Sequence, residues 1–111
     1  MIIKKSERSK KGGPACTVYE YKGVEKLSLA FAEVRGRFPD KDWGKNTACT
    51  EAYYVVAGKG KVNIEGKETE IIEGDVVIFK PGEKYFVEGN LDLVIPSTPA
   101  WSVDQYEFVE E

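Results

Sequence analysis

The sequence predicts a single all-β domain built as a sandwich or a small barrel. Short segments rich in β-branched and aromatic residues recur from Ala15 onward, and each is bounded by Gly, Pro, Asn or Asp. No segment combines helical periodicity with helix caps. Eight or nine strands in about 100 residues suit a sandwich or a barrel, whose closure removes exposed strand edges. With 111 residues the chain is long enough for one core and too short for a second domain.

The expected strands follow one another at regular intervals. They cover residues 17–21, 27–35, 53–57, 61–65, 68–72, 76–79, 85–87, 91–95 and 103–109. Glu65-Gly66 predicts a tight hairpin between two of them. Residues 36–46 form the only long irregular segment, and we expect this loop to shape the mouth of the barrel. We expect Trp43 and Trp101 to cover the barrel ends, with Trp101 equally suited to a subunit interface.

The first eleven residues carry most of the positive charge. Five basic residues stand against Glu7 there, a net charge of +4, which leaves −7 for the rest of a chain of net charge −3. We expect residues 1–14 to be a basic, partly flexible arm and residues 15–111 to be the barrel domain. No aromatic residue is interleaved with the lysines and the body is acidic, so no nucleic-acid partner is expected.

The two cysteines, Cys16 and Cys49, are far apart and form no Cys-x-x-Cys motif. Neither a disulfide framework nor a zinc cluster is therefore predicted, and a reducing cytoplasm is the expected location. No apolar run approaches the length of a signal core or a membrane span, so no membrane partner is expected either.

Two motifs in the second half identify a resemblance. Glu51 stands before the glycines Gly58 and Gly60, and Gly74-Asp75 begins a strand that runs into Pro81-Gly82. Over about residues 27–96 this pattern resembles the cupin superfamily. The resemblance implies a cupin-type β-barrel, that is, a double-stranded β-helix or jelly roll. The glycines and apolar residues are turn and sheet positions and would be the same in an enzyme or a binding protein.

The same resemblance implies a metal site that this chain lacks. In cupins two histidines upstream of the glutamate and one in the second motif complete the site, but this sequence contains no histidine. The upstream positions fall on Lys45 and Thr47, or on Gly44 and Asn46, and Tyr85 stands at the third. Glu51 alone is too few donors for a transition metal, so neither a metal nor another cofactor is predicted unless Cys49 and Tyr85 assist it.

Strand alternation gives the candidate ligand-binding residues. If residues 45–51 are extended, Lys45, Thr47, Cys49 and Glu51 lie on one side, and the resemblance implies that this side faces the cavity together with Tyr53 and Tyr85. Glu51 and Tyr85 are the candidate acid–base groups. Each has a structural alternative: Glu51 as a rim carboxylate paired with Lys45 or Arg35, Tyr85 as a cavity filler, and Cys49 as a small buried apolar residue. Of the adjacent pair, only one of Tyr53 and Tyr54 can face inward.

Three functions remain open from the sequence. The first is a cupin that binds a small polar ligand, a sugar or a carboxylate, without a metal. The second is a metal-independent sugar isomerase or epimerase, which the absence of histidine disfavours. The third is a structural or regulatory barrel without a ligand. We expect a homodimer, because a second copy commonly covers an open edge of a small barrel and residues 1–5 and 103–109 have strand-like sequences.

Overall fold

The computed structural model describes residues 1–110, and nearly all regular structure in that range is β. The strands are β1 Ser9–Gly13, β2 Cys16–Val24, β3 Leu27–Phe38, β4 Trp43–Asn46, β5 Thr50–Ile64, β6 Lys67–Ile72, β7 Val76–Phe79, β8 Lys84–Thr98 and β9 Tyr106–Val109. Two single 3-10 turns, Lys5–Glu7 and Val103–Gln105, complete the described structure. The all-β prediction is confirmed. No helix within residues 1–110 is long and apolar enough to cross a membrane.

One curled sheet forms a half-barrel around the core. The two longest strands, β5 and β8, pair antiparallel along most of their lengths. On its other edge β8 pairs with β3, which continues through β2 to β1, and with β4, which pairs with β9. The other edge of β5 carries β7 and then β6. The buried side chains on the concave face come chiefly from β3, β5, β7 and β8.

A bulge in β5 determines which residues face the core. Glu51, Tyr53 and Val55 are buried in alternation, as a strand with one covered face requires. The pairing with β8 then slips by one residue between Val55 and Ala57, so the buried residue further along is Val62. Such a slip exchanges the two faces of a strand. The first half of β5 therefore carries the polar inward residues.

Two facing glycines explain why β5 and β8 are longer than expected. We predicted two short strands in place of each, residues 53–57 and 61–65 for β5 and residues 85–87 and 91–95 for β8, because turn-forming residues such as Gly58 and Gly60 look like strand ends. In the structure Gly60 pairs with Gly89, and a Cβ added at Gly89 would lie 2.5 Å from the Cα of Gly60. The backbones approach too closely there for a side chain, and glycine inside a strand is typical of such a contact. These glycines permit long strands to pass each other.

The two ends of the chain differ from the prediction. The barrel domain was expected to begin at residue 15, but β1 already pairs with β2 from Ser9. Residues 1–4 form no strand, and residues 103–105 form a 3-10 turn ahead of β9. The expected loop 36–46 contains β4, where the Trp43 ring packs against Phe86 with centroids 5.2 Å apart. Glu111, the last residue of the predicted 15–111 domain, lies outside the described residues.

Candidate functional site

A cavity of about 260 Å³ lies on the concave side of the half-barrel. Glu51 and Tyr53 from β5, Tyr85 from β8 and Tyr106 from β9 bring polar groups to it. Apolar and aromatic side chains make up most of the remaining wall, among them Ala30, Phe38, Ile95, Trp101 and Phe108. A mostly apolar cavity with a few convergent polar groups is the usual form of a small-molecule site, and at about 260 Å³ this one is slightly smaller than the usual ~300–1,000 Å³.

Glu51 is the buried carboxylate of this cavity. Only 7% of the residue is exposed. Burial raises the pKa of its carboxyl to about 7, although the hydrogen bond from Asn46 and the positive charge of Lys11 act in the opposite direction. Glu51 is therefore poised between its neutral and ionised forms near neutral pH. A cavity carboxyl in that condition can accept a proton from a ligand and return it.

The amide of Asn46 is held in one orientation. Its Oδ1 accepts hydrogen bonds from Trp101 Nε1 at 3.0 Å and from Gln105 Nε2 at 2.9 Å. Because an indole N–H can only donate, the atom facing Trp101 must be the oxygen, and the Asn46 amino group then points to Glu51. Asn46 Nδ2 donates to Glu51 Oε1 at 3.3 Å. This contact leaves Glu51 Oε2 as the oxygen available to the cavity.

Three tyrosine hydroxyls form a chain beside the carboxyl. Tyr53 donates to the Tyr85 oxygen at 3.4 Å, and the Tyr85 and Tyr106 oxygens are 2.8 Å apart. Burial raises the pKa of all three phenols above the ordinary value, and the negative charge of Glu51 raises them further. The phenols are therefore neutral at physiological pH. Two of their three hydroxyl protons are used within the chain, so one proton, on Tyr85 or Tyr106, is left to donate to an oxygen of a ligand, and neutral phenols cannot serve as bases.

Lys11 and Trp101 stand at the mouth of the cavity. The Lys11 ammonium lies 3.8 Å from the centroid of the Trp101 ring and 3.1 Å from Glu20 Oε1. This cation–π contact joins β1 to the segment between β8 and β9. Cys16 also reaches the cavity, but burial raises the pKa of its thiol to about 11, so it is a neutral wall residue and not a nucleophile.

Three of the six predicted ligand-binding residues lie together. Glu51, Tyr53 and Tyr85 line the cavity, and Tyr54 points outward with 46% exposure. Lys45, Thr47 and Cys49 do not line it. Lys45 pairs with Glu107 at 3.2 Å, Thr47 Oγ1 donates to the Gln105 carbonyl, and the Cys49 thiol is buried against the Pro99 carbonyl.

The expected alternation fails because residues 47–49 leave the extended conformation. The strand ends at Asn46 and resumes at Thr50, and the bend between them moves Asn46 to the inner side in place of Lys45. The proposed ion pairs of Glu51 are also absent from the described residues: Lys45 is paired as above, and Arg35 is bound to Asp92 at 2.8 Å. The buried Cys49 matches its structural alternative.

Sequence reasoning missed Lys11, Cys16, Asn46, Trp101 and Tyr106 as residues around Glu51. Lys11 lay in the segment expected to be a solvated arm, and Asn46 was considered only as a poor metal ligand. Tyr106 comes from a strand whose pairing with β4 no local pattern specifies. Its alternation with the outward Glu107 was the one available signal for an inward phenol.

The donor set does not fit the transition metal of typical cupins. Both lone-pair directions of Asn46 Oδ1 accept hydrogen bonds from protein donors, and Tyr85 carries a neutral phenol. Cys49 lies away from the cavity. Within residues 1–110 no cluster of three or more Cys, Asp or Glu side chains has metal-binding geometry. Glu51 stands without partners suited to a metal.

Comparison with known proteins identifies the fold. The model of the family described as "Cupin domain" matches residues 42–94, the stretch that contains Asn46, Glu51, Tyr53 and Tyr85. The resemblance to the cupin superfamily is thereby confirmed, and the chain has the cupin fold, a double-stranded β-helix. No curated protein sequence matches the chain significantly.

Solved structures agree with that assignment. Pac13, a nucleoside dehydratase, superposes with a TM-score of 0.89 at 16% identity, covering 99% of this chain and 91% of its own. A Streptomyces Pac13 variant with one tyrosine changed to phenylalanine, solved with uridine, gives 0.89 at 15% identity, with 99% and 90% coverage. A double-stranded β-helix protein from Klebsiella pneumoniae gives 0.76 at 14%, with 99% and 92% coverage. At these identities the likeness establishes the fold.

Proposed function

We propose that this protein binds a small hydroxyl-bearing molecule of the sugar or nucleoside class in the cavity and transfers a proton on it through Glu51, without a metal. One observation carries the proposal. A single buried carboxyl and three phenol hydroxyls converge at the inner end of a cavity whose other walls are apolar or aromatic. Aromatic faces suit the C–H surface of a sugar or the ring of a base, and the polar groups suit its oxygens.

Proton transfer at a carbon next to a carbonyl fits these groups. The ionised Glu51 removes the proton, and the electron pair of the broken C–H bond moves onto the carbonyl oxygen as an enolate. Of the Tyr85 and Tyr106 hydroxyls, which are hydrogen-bonded to each other, the one whose proton is not used in that bond donates a hydrogen bond to that oxygen. The protonated Glu51 then gives the proton to the adjacent hydroxyl-bearing carbon, while the proton of that hydroxyl moves to the enolate oxygen, which isomerises the ligand. Alternatively, it gives the proton to a hydroxyl on the adjacent carbon, which leaves as water as the enolate electrons re-form the carbonyl and a carbon–carbon double bond takes the place of the broken C–O bond. Either outcome restores the carboxylate, so one residue completes the cycle.

The Glu51 carboxyl is suited to both halves of such a cycle. Its pKa of about 7 means that both protonation states are populated at neutral pH. A general acid–base group works best when its pKa lies near the working pH. Histidine usually occupies that range, and a desolvated glutamate takes its place in a chain that has none.

The structural comparisons support the ligand class. Pac13 is described as a nucleoside dehydratase, and a tyrosine-to-phenylalanine variant of it was studied with uridine. The shared fold is an analogy and does not transfer the reaction, since one fold supports many activities. It makes sugars and nucleosides the first molecules to test.

Solvent hydrogen exchange tests the proposal without knowledge of the product. Candidate ketoses, nucleoside aldehydes and hydroxy acids are incubated with the protein in D₂O, and proton NMR follows the loss of the signal next to the carbonyl. We expect exchange with the wild type and a loss of about 10²–10⁴-fold in Glu51→Gln, the usual contribution of a general base. Glu20→Gln is the matched control, because it removes another carboxylate of the same cavity wall.

Two outcomes separate the alternatives. Equal exchange in Glu51→Gln and wild type contradicts the proton-transfer role. Binding in a thermal-shift screen without any exchange supports the simpler function, a ligand-binding cupin that performs no reaction.

We further propose that the protein works as a homodimer in a reducing cytoplasm. The outer face of β5 and β7 carries a strip of apolar side chains that are 38–59% exposed: Tyr54, Val56, Val76 and Ile78. Contiguous apolar surface of this kind is typical of an interface, and a second copy is the simplest partner. Cys16 and Cys49 are both free and buried, which suits a compartment where thiols stay reduced.

A further inference from the structure

We infer that Asn46 is a positioning residue for Glu51: with Trp101 and Gln105 it forms an amide clamp that binds Oε1 and makes Oε2 the oxygen that exchanges protons with the ligand. Asn46 stands at one of the two alternative places where the cupin resemblance puts an upstream metal-binding histidine. The inference rests on the proposed function, since it concerns how Glu51 is prepared for proton transfer.

The first step is that the clamp has one orientation. Asn46 is 1% exposed, and Trp101 and Gln105 both donate to its Oδ1. Gln105 cannot turn over either, because its own Oε1 accepts hydrogen bonds from the backbone N–H groups of Ala48 and Cys49, each at 3.1 Å. Each amide therefore fixes the next one. The Asn46 amino group is left with Glu51 as its acceptor.

The second step concerns the two carboxyl oxygens. An amino group can only donate, so Oε1 must accept from Asn46 in both protonation states of Glu51. A proton on Glu51 therefore resides on Oε2. No fully buried side-chain oxygen or nitrogen within residues 1–110 lacks a partner, and Oε2 has none among those residues, so Oε2 is reachable from the cavity. The clamp thus directs the exchangeable proton toward the ligand.

The third step is that the clamp opposes desolvation. A donated hydrogen bond favours the ionised carboxyl, whereas burial favours the neutral one. The other titratable residues that line the cavity with Glu51 come from β1, β2, β5, β8 and β9; they are Lys11, Cys16, Glu20, Tyr21, Lys22, Tyr53, Tyr85 and Tyr106. The positive charge of Lys11 also favours the ionised form of Glu51, but the Lys11 ammonium is itself bound to Glu20 and to the Trp101 ring. Asn46 is the group in direct contact with the carboxyl.

Carboxyl-carbon NMR of Glu51 across pH 4 to 10 tests the clamp without any ligand. In Asn46→Leu the donor is lost, and we expect the midpoint of the Glu51 titration to rise by about one pH unit. The near-isosteric Asn46→Asp puts a second carboxylate beside Glu51. We expect the two carboxyls to titrate as a coupled pair in two steps, and the midpoint of the upper step to lie more than one pH unit above the wild-type midpoint. Ser97→Ala is the matched control, because Ser97 is buried opposite Glu51 but its hydroxyl donates to the Pro99 carbonyl.

A measurement on the wild type covers the case in which a variant fails to fold. The side-chain amide protons of Asn46 should shift with pH along the same curve as the Glu51 carboxyl carbon. Asn46 amide signals that stay constant through the Glu51 titration would overturn the inference, as would equal midpoints in folded Asn46→Asp and Ser97→Ala. Because these measurements use no ligand, they can confirm the clamp even if the hydrogen-exchange experiment finds no reaction. Likewise, hydrogen exchange can confirm the proton transfer even if the clamp is disproved.

Discussion

Replacing Glu51 with Gln should stabilise the protein at alkaline pH and leave its stability nearly unchanged in acid. The folded carboxyl has a pKa of about 7, which is about 2.5 units above its ordinary value of 4.5. At 1.36 kcal/mol per unit this amounts to roughly 3 kcal/mol of stability. Because the folded pKa is the higher one, the folded state binds the proton more tightly. Wild-type stability should therefore fall as pH rises from about 4.5 to 7 and stay low above that.

The amide introduced by Glu51→Gln keeps the size of the side chain, accepts the bond from Asn46 and never ionises. The free energy of unfolding of Glu51→Gln minus that of wild type should thus be near zero at pH 4 and reach roughly 3 kcal/mol at pH 8. In melting temperature this is on the order of 10 °C. Urea unfolding followed by circular dichroism at several pH values measures it, and all other carboxylates cancel in the difference. A difference that is independent of pH, or a wild type that is the more stable protein at pH 8, would refute the reasoning.

Further expectations concern the metal, the cavity and the assembly. Elemental analysis of protein purified without a histidine tag should find no stoichiometric transition metal, because three of the four cupin ligand positions lack a usual donor; one equivalent of iron, manganese, nickel or zinc would contradict this. Lys11→Met removes a cation that lowers the pKa of Glu51, so the carboxyl titration should move upward, and an unchanged midpoint would show that Lys11 acts only on Glu20 and Trp101. Tyr85→Phe removes contacts to two other hydroxyls and should cost about 1–2 kcal/mol in urea unfolding; a loss well below that range would argue against the hydroxyl chain. Light scattering at tens of micromolar should give a dimer mass for wild type and a monomer mass for Tyr54→Lys, whereas a monomeric wild type would rule out the homodimer.

The polar inner end of the cavity was partly predictable because strand alternation is a local property. Glu51 and Tyr53 follow the alternation of β5, and Tyr85 follows from the cupin motif. Alternation holds only while the chain remains extended, and the bend at residues 47–49 interrupts it. Asn46 therefore occupies the inner side that was assigned to Lys45. A bend of three residues without glycine or proline leaves no sequence signal.

Other features of the fold and the site could not be predicted from the sequence, for different physical reasons. β1 is exposed along its whole length and contains no apolar side chain, so it lacks the pattern by which strands are recognised. Its position in the sheet depends on pairing with β2, which is a contact between segments. Tyr106 lies on β9 and Trp101 lies in the segment between β8 and β9, and both line the cavity with Glu51 at distances along the chain that no local motif spans. Local sequence thus predicts strands and their faces, whereas the partners of a buried group depend on the whole topology.

The position of Trp101 gives the protein an intrinsic fluorescent probe of its cavity. Its indole N–H donates a hydrogen bond to Asn46, the Lys11 ammonium lies over its ring, and its side chain forms part of the cavity wall. The emission of a tryptophan responds to charge and solvent around the ring, so a molecule entering the cavity changes the light it emits. The second tryptophan, Trp43, packs on Phe86 and does not line the cavity. In a Trp43→Phe protein, tryptophan emission excited where the six tyrosines do not absorb comes from Trp101 alone, and libraries of unlabelled metabolites can be screened with it.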